Sequence, residues 1–193
     1  MKKIMFNDRY GLTQAVIEGR KTMAMMLINI KSTSDVQVRI FAGYVQIIGR
    51  SGDVCAEKKL SYKVGEVVAV AQRYQDIFDY SNCVNPYAWE DDDKPSGWTN
   101  KMLTKAELMP HQIRITGIKC ERLYDISEAD CLREGIRYLP QIGKFYFEDM
   151  RREEGFYFDD HREAFASLID KVSGRGTWDR NPWVVVYEFE LVK

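Results

Sequence analysis

The chain has 193 residues, of which 45% are hydrophobic and 30% charged, a balance typical of a globular protein and not of a disordered one. This length suits a single domain over residues 1–193. The formal net charge of −1 excludes a general electrostatic attraction to nucleic acid. Binding of that kind would need a local basic patch.

Metal-binding and membrane signals are weak. The four cysteines form no CxxC pair, and the only histidines, His111 and His161, lie far apart in the sequence. We therefore expect reduced thiols, no metal and no cofactor. No apolar run is long enough for a signal peptide or a membrane span, so we expect a cytoplasmic protein with no membrane partner.

Short elements follow one another through the first half of the chain. Apolar periodicity predicts a helix over Asp8–Glu18. A loop or strand over Arg20–Ile30 follows and begins with the last three residues of the tetrapeptide GRKT. Alternating β-branched and aromatic residues predict strands within Val36–Ile48 and over Val67–Ala71.

The second half begins with a strand over Gln112–Leu123. Its apolar residues change parity at Gly117, which predicts a β-bulge there. Helices are predicted over Asp125–Glu134 and Asp159–Val172. The β-prone run Val184–Leu191 predicts a strand that completes the sheet, so its truncation should unfold the chain.

Two stretches lack a clean period and are predicted to be insertions. The first lies near 81–101 and contains the acidic run Glu90–Asp93; the second lies near 143–158. Strands outnumber helices elsewhere, and the helices are spaced between them. The pattern predicts an α+β fold, a small mixed sheet or barrel with short flanking helices.

Three segments carry a resemblance to a known family. They are EGRKTM (18–23), RITGIKCERLYDISEADCLREGI (114–136) and FASLIDKVSGRGTWDRNPWVVVYEFEL (165–191). Together they resemble the ASCH family, in particular members found in phages and prophages. The resemblance implies a PUA-like β-barrel, with RNA or nucleotide binding in a cleft beside it.

Some small members of that family hydrolyse the amide of acetylated cytidine with a lysine, a threonine and a glutamate. By this resemblance Lys21 matches the lysine and Glu134 the glutamate, but the threonine position holds Ala24. Met25 and Met26 stand where an arginine would be expected. Alanine supplies no nucleophilic oxygen, and methionine supplies no charge, which argues against this activity.

Six residues are candidate ligand contacts, and two of these, Lys21 and Glu134, are also candidate catalytic residues. The six are Arg20, Lys21, Thr22, Arg114, Glu134 and Trp178. Each also has a structural interpretation. A basic pair at a helix end is favoured by the helix dipole, Arg114 suits a solvent-facing position, and Trp178 suits a core plug.

Three functions remain open. The leading hypothesis is a module that binds RNA or a nucleotide-like molecule in a cleft lined by GRKT and the 126–134 helix. The second is an amidohydrolase acting on acylated nucleosides such as acetylcytidine, with Lys21 as base and Glu134 as proton shuttle. The third is a protein-interaction module of a phage or another mobile element. The oligomeric state is open.

Overall fold

The computed structural model describes residues 1–29, 36–77, 94–152 and 155–192. Most of the first predicted insertion, including its acidic run Glu90–Asp93, lies outside these residues.

Strands dominate the described part of the chain. They are β1 (Lys3–Ile4), β2 (Met23–Leu27), β3 (Gln37–Phe41), β4 (Tyr44–Ile48), β5 (Val54–Lys59), β6 (Val67–Val70), β7 (Gln112–Arg122), β8 (Arg137–Leu139), β9 (Lys144–Phe147), β10 (Phe156–Phe158) and β11 (Trp183–Val192). The α-helices are α1 (Leu12–Ile17), α2 (Tyr74–Ile77), α3 (Glu128–Arg133) and α4 (His161–Ser173). Short 3₁₀ turns occupy Asp8–Tyr10, Lys101–Leu103, Ala106–Leu108 and Leu123–Asp125.

The main sheet has five strands in the order β1-β6-β7-β11-β2. All its pairings are antiparallel except that of β1 with β6. Valines 184 and 186 of β11 are fully buried, as a central strand of β-branched residues should be. The C-terminal strand therefore holds the sheet together, with β7 on one side and β2 on the other.

The bulge predicted in β7 is confirmed. Glu188 of β11 pairs with Gly117 while Phe189 pairs with Ile115, so Thr116 is the extra residue on β7. A Cβ at position 117 would lie 2.6 Å from the Glu188 Oε2 atom, so a side chain there would displace the Glu188 carboxylate. Ile113 and Ile115 before the bulge, and Ile118 and Cys120 after it, therefore all contact the core.

Two smaller antiparallel sheets flank the main one, in the orders β3-β4-β5 and β10-β9-β8. Strands β9 and β10 fall within 143–158, where the sequence shows no clean period. That this stretch is an insertion stays a prediction. Strand β5 is exposed along its whole length, so no apolar alternation marks it in the sequence.

Helices α1, α3 and α4 overlap the three predicted helices, whereas α2 was not predicted. The first is interrupted at Gly11, whose φ of 64° separates the 3₁₀ turn from α1. Helix α3 is capped by the Ser127 hydroxyl, which accepts from the Asp130 N–H. Phe165, Leu168, Ile169 and Val172 recur at the helical spacing that predicts one apolar face. In α4 the first three are buried, but Val172 is exposed.

The protein is a mixed α+β structure whose core lies between the main sheet, α1, α4 and the smaller sheets. The ladders of the described strands leave β1 and β2 as separate edges and do not close the main sheet into the predicted barrel. The PUA-like assignment stays a prediction. Within the described residues, no helix combines the length and apolar character needed to cross a bilayer.

Candidate functional site

Lys21 is buried by the turn that joins α1 to β2. Gly19 ends the helix with a φ of 72°. The N–H groups of Arg20 and Lys21 then both donate to the Ala15 carbonyl oxygen, at 2.9 Å each. This turn directs the Lys21 side chain inward, and the residue is only 3% exposed.

Glu134 is brought to the same place by the end of α3. The Thr22 N–H donates to the Arg133 carbonyl at 3.0 Å, which ties the last turn of the helix to the start of β2. Gly135 follows with a φ of 113°, and a Cβ there would lie 2.9 Å from Leu12 Cδ2. The positive φ favours glycine at this position, and Leu12 of α1 fills the space that a side chain would occupy.

The Lys21 ammonium and the Glu134 carboxylate form a buried ion pair, although they are 113 residues apart in the sequence. The Lys21 Nζ atom donates to Glu134 Oε2 and, at 2.8 Å, to the Glu134 carbonyl oxygen. It also lies 5.6 Å from the centre of the Phe6 ring. Glu134 is only 7% exposed, so both charges are removed from bulk water.

The second carboxylate oxygen of Glu134 covers the free edge of β2. Thr22 and Ile28 hydrogen bond to β11, and alternation along an antiparallel ladder turns the Met25 N–H outward. Glu134 Oε1 accepts from this N–H at 2.6 Å. The carboxylate thus replaces a neighbouring strand at this position and is held at both oxygens.

Burial raises the pKa of Glu134 above its usual value. The Lys21 charge, the Lys21 hydrogen bond and the Met25 N–H all lower the pKa, but desolvation is the larger effect. A carboxyl group in this position accepts a proton more readily than one in water.

A cavity of about 150 Å³ opens beside the ion pair. Its wall is mainly apolar and comes from the N-terminal segment, β2 and α4. The lining side chains are Ile4, Met5, Phe6, Asn7, Leu12, Lys21, Ala24, Met25, Met26, Glu134, Phe165, Leu168, Ile169, Val172 and Ser173. Lys21 and Glu134 are the charged groups among them.

The rim of the cavity includes the exposed residues Met5, Val172 and Ser173. The last two belong to the final turn of α4, so the negative end of that helix dipole lies at the rim. Ala24 lines the wall, at the position where the ASCH resemblance leads us to expect a threonine.

Two other predicted contacts on the GRKT motif do not line this cavity. The Arg20 side chain is paired with Glu18, whose Oε2 accepts from Arg20 Nε at 2.7 Å. The Thr22 hydroxyl accepts from Arg133 Nε at 3.3 Å, and Arg133 also contacts Glu188. A ligand role for either residue stays a prediction.

Arg114 and Trp178 also lie elsewhere. Arg114 Nη1 donates to Glu190 Oε1 at 3.3 Å on the exposed face of β7 and β11. Trp178 packs against Tyr124, with ring centres 4.8 Å apart, and its backbone N–H donates to Asp170 Oδ1. This packing matches the structural interpretation of Trp178 as a plug beside α4.

Most of the cavity wall was missed by sequence reasoning. Phe6 and Met5 precede the first predicted helix, and the wall residues of α4 were assigned only to the core. No sequence signal links these segments, because a cavity between elements depends on how completely their side chains fill the space. The available signal was the motif resemblance, which indicated Lys21, Glu134 and Ala24.

Within the described residues, no cluster of three or more His, Cys, Asp or Glu side chains is arranged to hold a metal ion. Comparisons with known proteins found no matching family model, no similar curated protein and no similar solved structure. Function is therefore inferred from the site itself.

Proposed function

We propose that the protein is a binding module for RNA or a nucleotide-like molecule, and that the cavity beside Lys21 and Glu134 takes a single base. The observation that carries this proposal is the ion pair itself, which borders an open, largely apolar space instead of being packed on all sides. The similarity of three segments to the ASCH family supports the same class of ligand.

The size of the cavity selects one ring. A cavity of about 150 Å³ accommodates benzene in an engineered protein core. The cavity here has about the same volume, which suits a pyrimidine-sized ring and is too small for a whole nucleotide. The sugar would then lie at the rim, near Met5 and Ser173.

The charges favour a neutral ring over a phosphate group. Lys21 is the one cation among the described residues that line the cavity, and Glu134 neutralises it. The C-terminal end of α4 at the rim also repels an anion. Phosphate would have to leave water for a site with no net positive charge, which is costly.

The ion pair offers both donors and acceptors to the edge of a base. An ammonium group has three N–H donors, and Glu134 accepts two of those of Lys21. The third donor and the remaining lone pairs of the carboxylate match the carbonyl and amino groups of cytosine. Apolar walls with a few polar groups are the usual composition of small-molecule sites.

Calorimetric titration tests this proposal with cytidine, uridine and cytidine monophosphate. We expect cytidine to bind and the monophosphate to bind no more tightly. Ala24→Leu narrows the cavity without removing either charge of the ion pair, and we expect it to weaken binding by about tenfold or more. Ala56→Leu, on the exposed strand β5, is the matched control and should bind as the wild type does.

Absence of heat with every ligand, or equal affinity of wild type and Ala24→Leu, would refute the cavity as the binding site. A monophosphate that binds much more tightly than cytidine would contradict the charge argument. Circular dichroism of each variant shows whether the fold is retained.

One observation favours a second candidate function, amide hydrolysis on an acylated nucleoside. Lys21, Glu134 and position 24 surround the same cavity, as the ASCH resemblance implies for an acetylcytidine hydrolase. Hydrolysis would add water to the amide carbonyl and break the C–N bond, releasing acetate and the free amine. Ala24 offers no hydroxyl to such a step.

Liquid chromatography of acetylcytidine incubated with the protein separates the two candidates. We expect binding without turnover for the wild type. The double substitution Ala24→Thr and Met26→Arg restores the residues that the resemblance implies. Turnover that appears in this variant and disappears with Lys21→Ala would identify an enzyme scaffold with a disabled site, whereas turnover by the wild type would favour the enzyme outright.

A further inference from the structure

The outer face of the β3-β4-β5 sheet is a second surface with exposed aromatic side chains. The inner face packs Val45 and Ile47 into the core. The outer face presents Phe41, which is 60% exposed, and Tyr44, which is 39% exposed. The two aromatic residues pair directly across β3 and β4, so their side chains lie next to each other on one face.

Two cations share this face. The Arg39 guanidinium lies 5.7 Å from the centre of the Phe41 ring. Its Nε atom donates to Gln46 Oε1 at 2.8 Å, while Gln46 Nε2 donates to Glu57 Oε1. Lys59 pairs with Tyr44 across β4 and β5, and therefore stands on the same face. Within the described residues, neither Arg39 nor Lys59 forms an ion pair.

The surrounding segment is locally basic in a chain that is slightly acidic overall. Residues 36–63 contain five Lys and Arg against two Asp and Glu, whereas the whole chain has a net charge of −1. Of these charged residues, Arg39, Lys59 and Glu57 stand on the outer face by strand register, so the face carries a net positive charge that nucleic-acid binding requires. Exposed aromatic rings next to it add a second, independent feature.

We propose that this face binds single-stranded nucleic acid, with bases stacked on Phe41 and Tyr44 and phosphates beside Arg39 and Lys59. Aromatic rings on an open sheet accept unpaired bases from any sequence, and nearby cations follow the backbone. A duplex keeps its bases stacked on each other, so it cannot use the two rings. The site is separate from the cavity, whose lining residues come from other elements.

Fluorescence anisotropy with labelled oligonucleotides of about 12 nucleotides tests the proposal, since such sites span about 4–16 nucleotides. The probes are oligo(U), oligo(dT) and a duplex of equal length, each at about 50 and about 200 mM salt. We expect both single strands to bind more tightly than the duplex. The ratio of oligo(U) to oligo(dT) affinity shows whether RNA or DNA is preferred.

Substitutions in the face separate stacking from charge. We expect Phe41→Ala to weaken oligo(U) binding by about 5- to 100-fold, the loss typical of one stacked base. We expect Arg39→Gln with Lys59→Gln to lower the slope of log affinity against log salt by about 0.7 for each phosphate contact. The matched controls are Arg175→Gln and Tyr157→Ala, an aromatic residue on the β8-β9-β10 sheet that is 52% exposed.

No oligonucleotide binding by the folded wild type at low salt would overturn the proposal. So would equal losses in the control variants, or a duplex that binds as tightly as a single strand. Phe41→Ala should weaken oligo(U) binding by the same factor in the Ala24→Leu background as in the wild type, because the two sites share no lining residue. If Ala24→Leu loses cytidine binding and Phe41→Ala keeps it, cytidine binds in the cavity and not at the sheet face, and the two sites are independent.

Discussion

Replacing Lys21 by Met is the sharpest test of the buried ion pair. Methionine keeps most of the aliphatic volume of the side chain but removes the charge, so Glu134 is left buried without its counterion. Removing one partner of a buried pair costs about 3–5 kcal/mol. A domain has only about 5–15 kcal/mol of total stability, so the loss should be large.

A second substitution should reverse most of this loss. Glu134→Gln removes the unpaired negative charge and keeps an oxygen that can accept from the Met25 N–H. Neutral replacements of both partners are often nearly neutral in stability, because the desolvation cost of both charges disappears. We therefore expect the double variant to be more stable than Lys21→Met alone.

The Lys21→Met variant should also respond to pH in a defined direction. Burial already raises the pKa of Glu134 above its reference value of 4.5, and loss of the cation raises the pKa further. A group whose pKa is raised in the folded state contributes stability at pH values below its unfolded-state pKa. This stability is lost as the pH rises through the folded-state pKa. The difference in free energy of unfolding between wild type and variant should therefore shrink as the pH falls toward 4.5.

Urea unfolding followed by tryptophan fluorescence measures these free energies. Arg114→Met is the control, because the Arg114–Glu190 pair is exposed and should contribute less than about 1 kcal/mol. A cost for Lys21→Met no larger than that of the control would refute the reasoning. A double variant less stable than Lys21→Met would also refute it.

Three further substitutions test the framework of the site. Asp160→Ala should lower the free energy of unfolding by about 1 kcal/mol, because the Asp160 side chain caps α4; equal urea midpoints would contradict this. Gly135→Ala should lower the free energy of unfolding by about 1–3 kcal/mol, since the φ of 113° at this position disfavours a side chain. An unchanged thermal midpoint would contradict this expectation. Deletion of 189–193 removes the buried Phe189 and part of the β11–β7 ladder, so calorimetry should show no cooperative unfolding.

The central sheet could be predicted because its strands carry strong local signals. Three valines that follow Pro182 and Trp183 mark the start of β11 in the sequence, and the parity change in β7 required the bulge that the structure contains. Strands β9 and β10 have only four and three residues, so they are too short for a period to show. Strand β5 is exposed on both faces and has no apolar pattern.

The resemblance placed Lys21 and Glu134 in one cleft, but their direct contact was not predicted. Local propensity carries no information about two side chains 113 positions apart. The Met25 N–H bond to Glu134 and the cavity itself depend on how α1, α3, α4 and β2 pack. These features became visible only in the three-dimensional arrangement.

Methyl NMR of protein labelled at methionine tests the central claim most directly. Met5, Met25 and Met26 line the cavity, whereas Met102 and Met150 are exposed elsewhere. A cytidine titration should shift the methyl signals of the first three and leave those of the other two unchanged. Unchanged signals from Met25 and Met26 at saturating cytidine, or equal shifts at all five methionines, would contradict a base-binding cavity beside the ion pair.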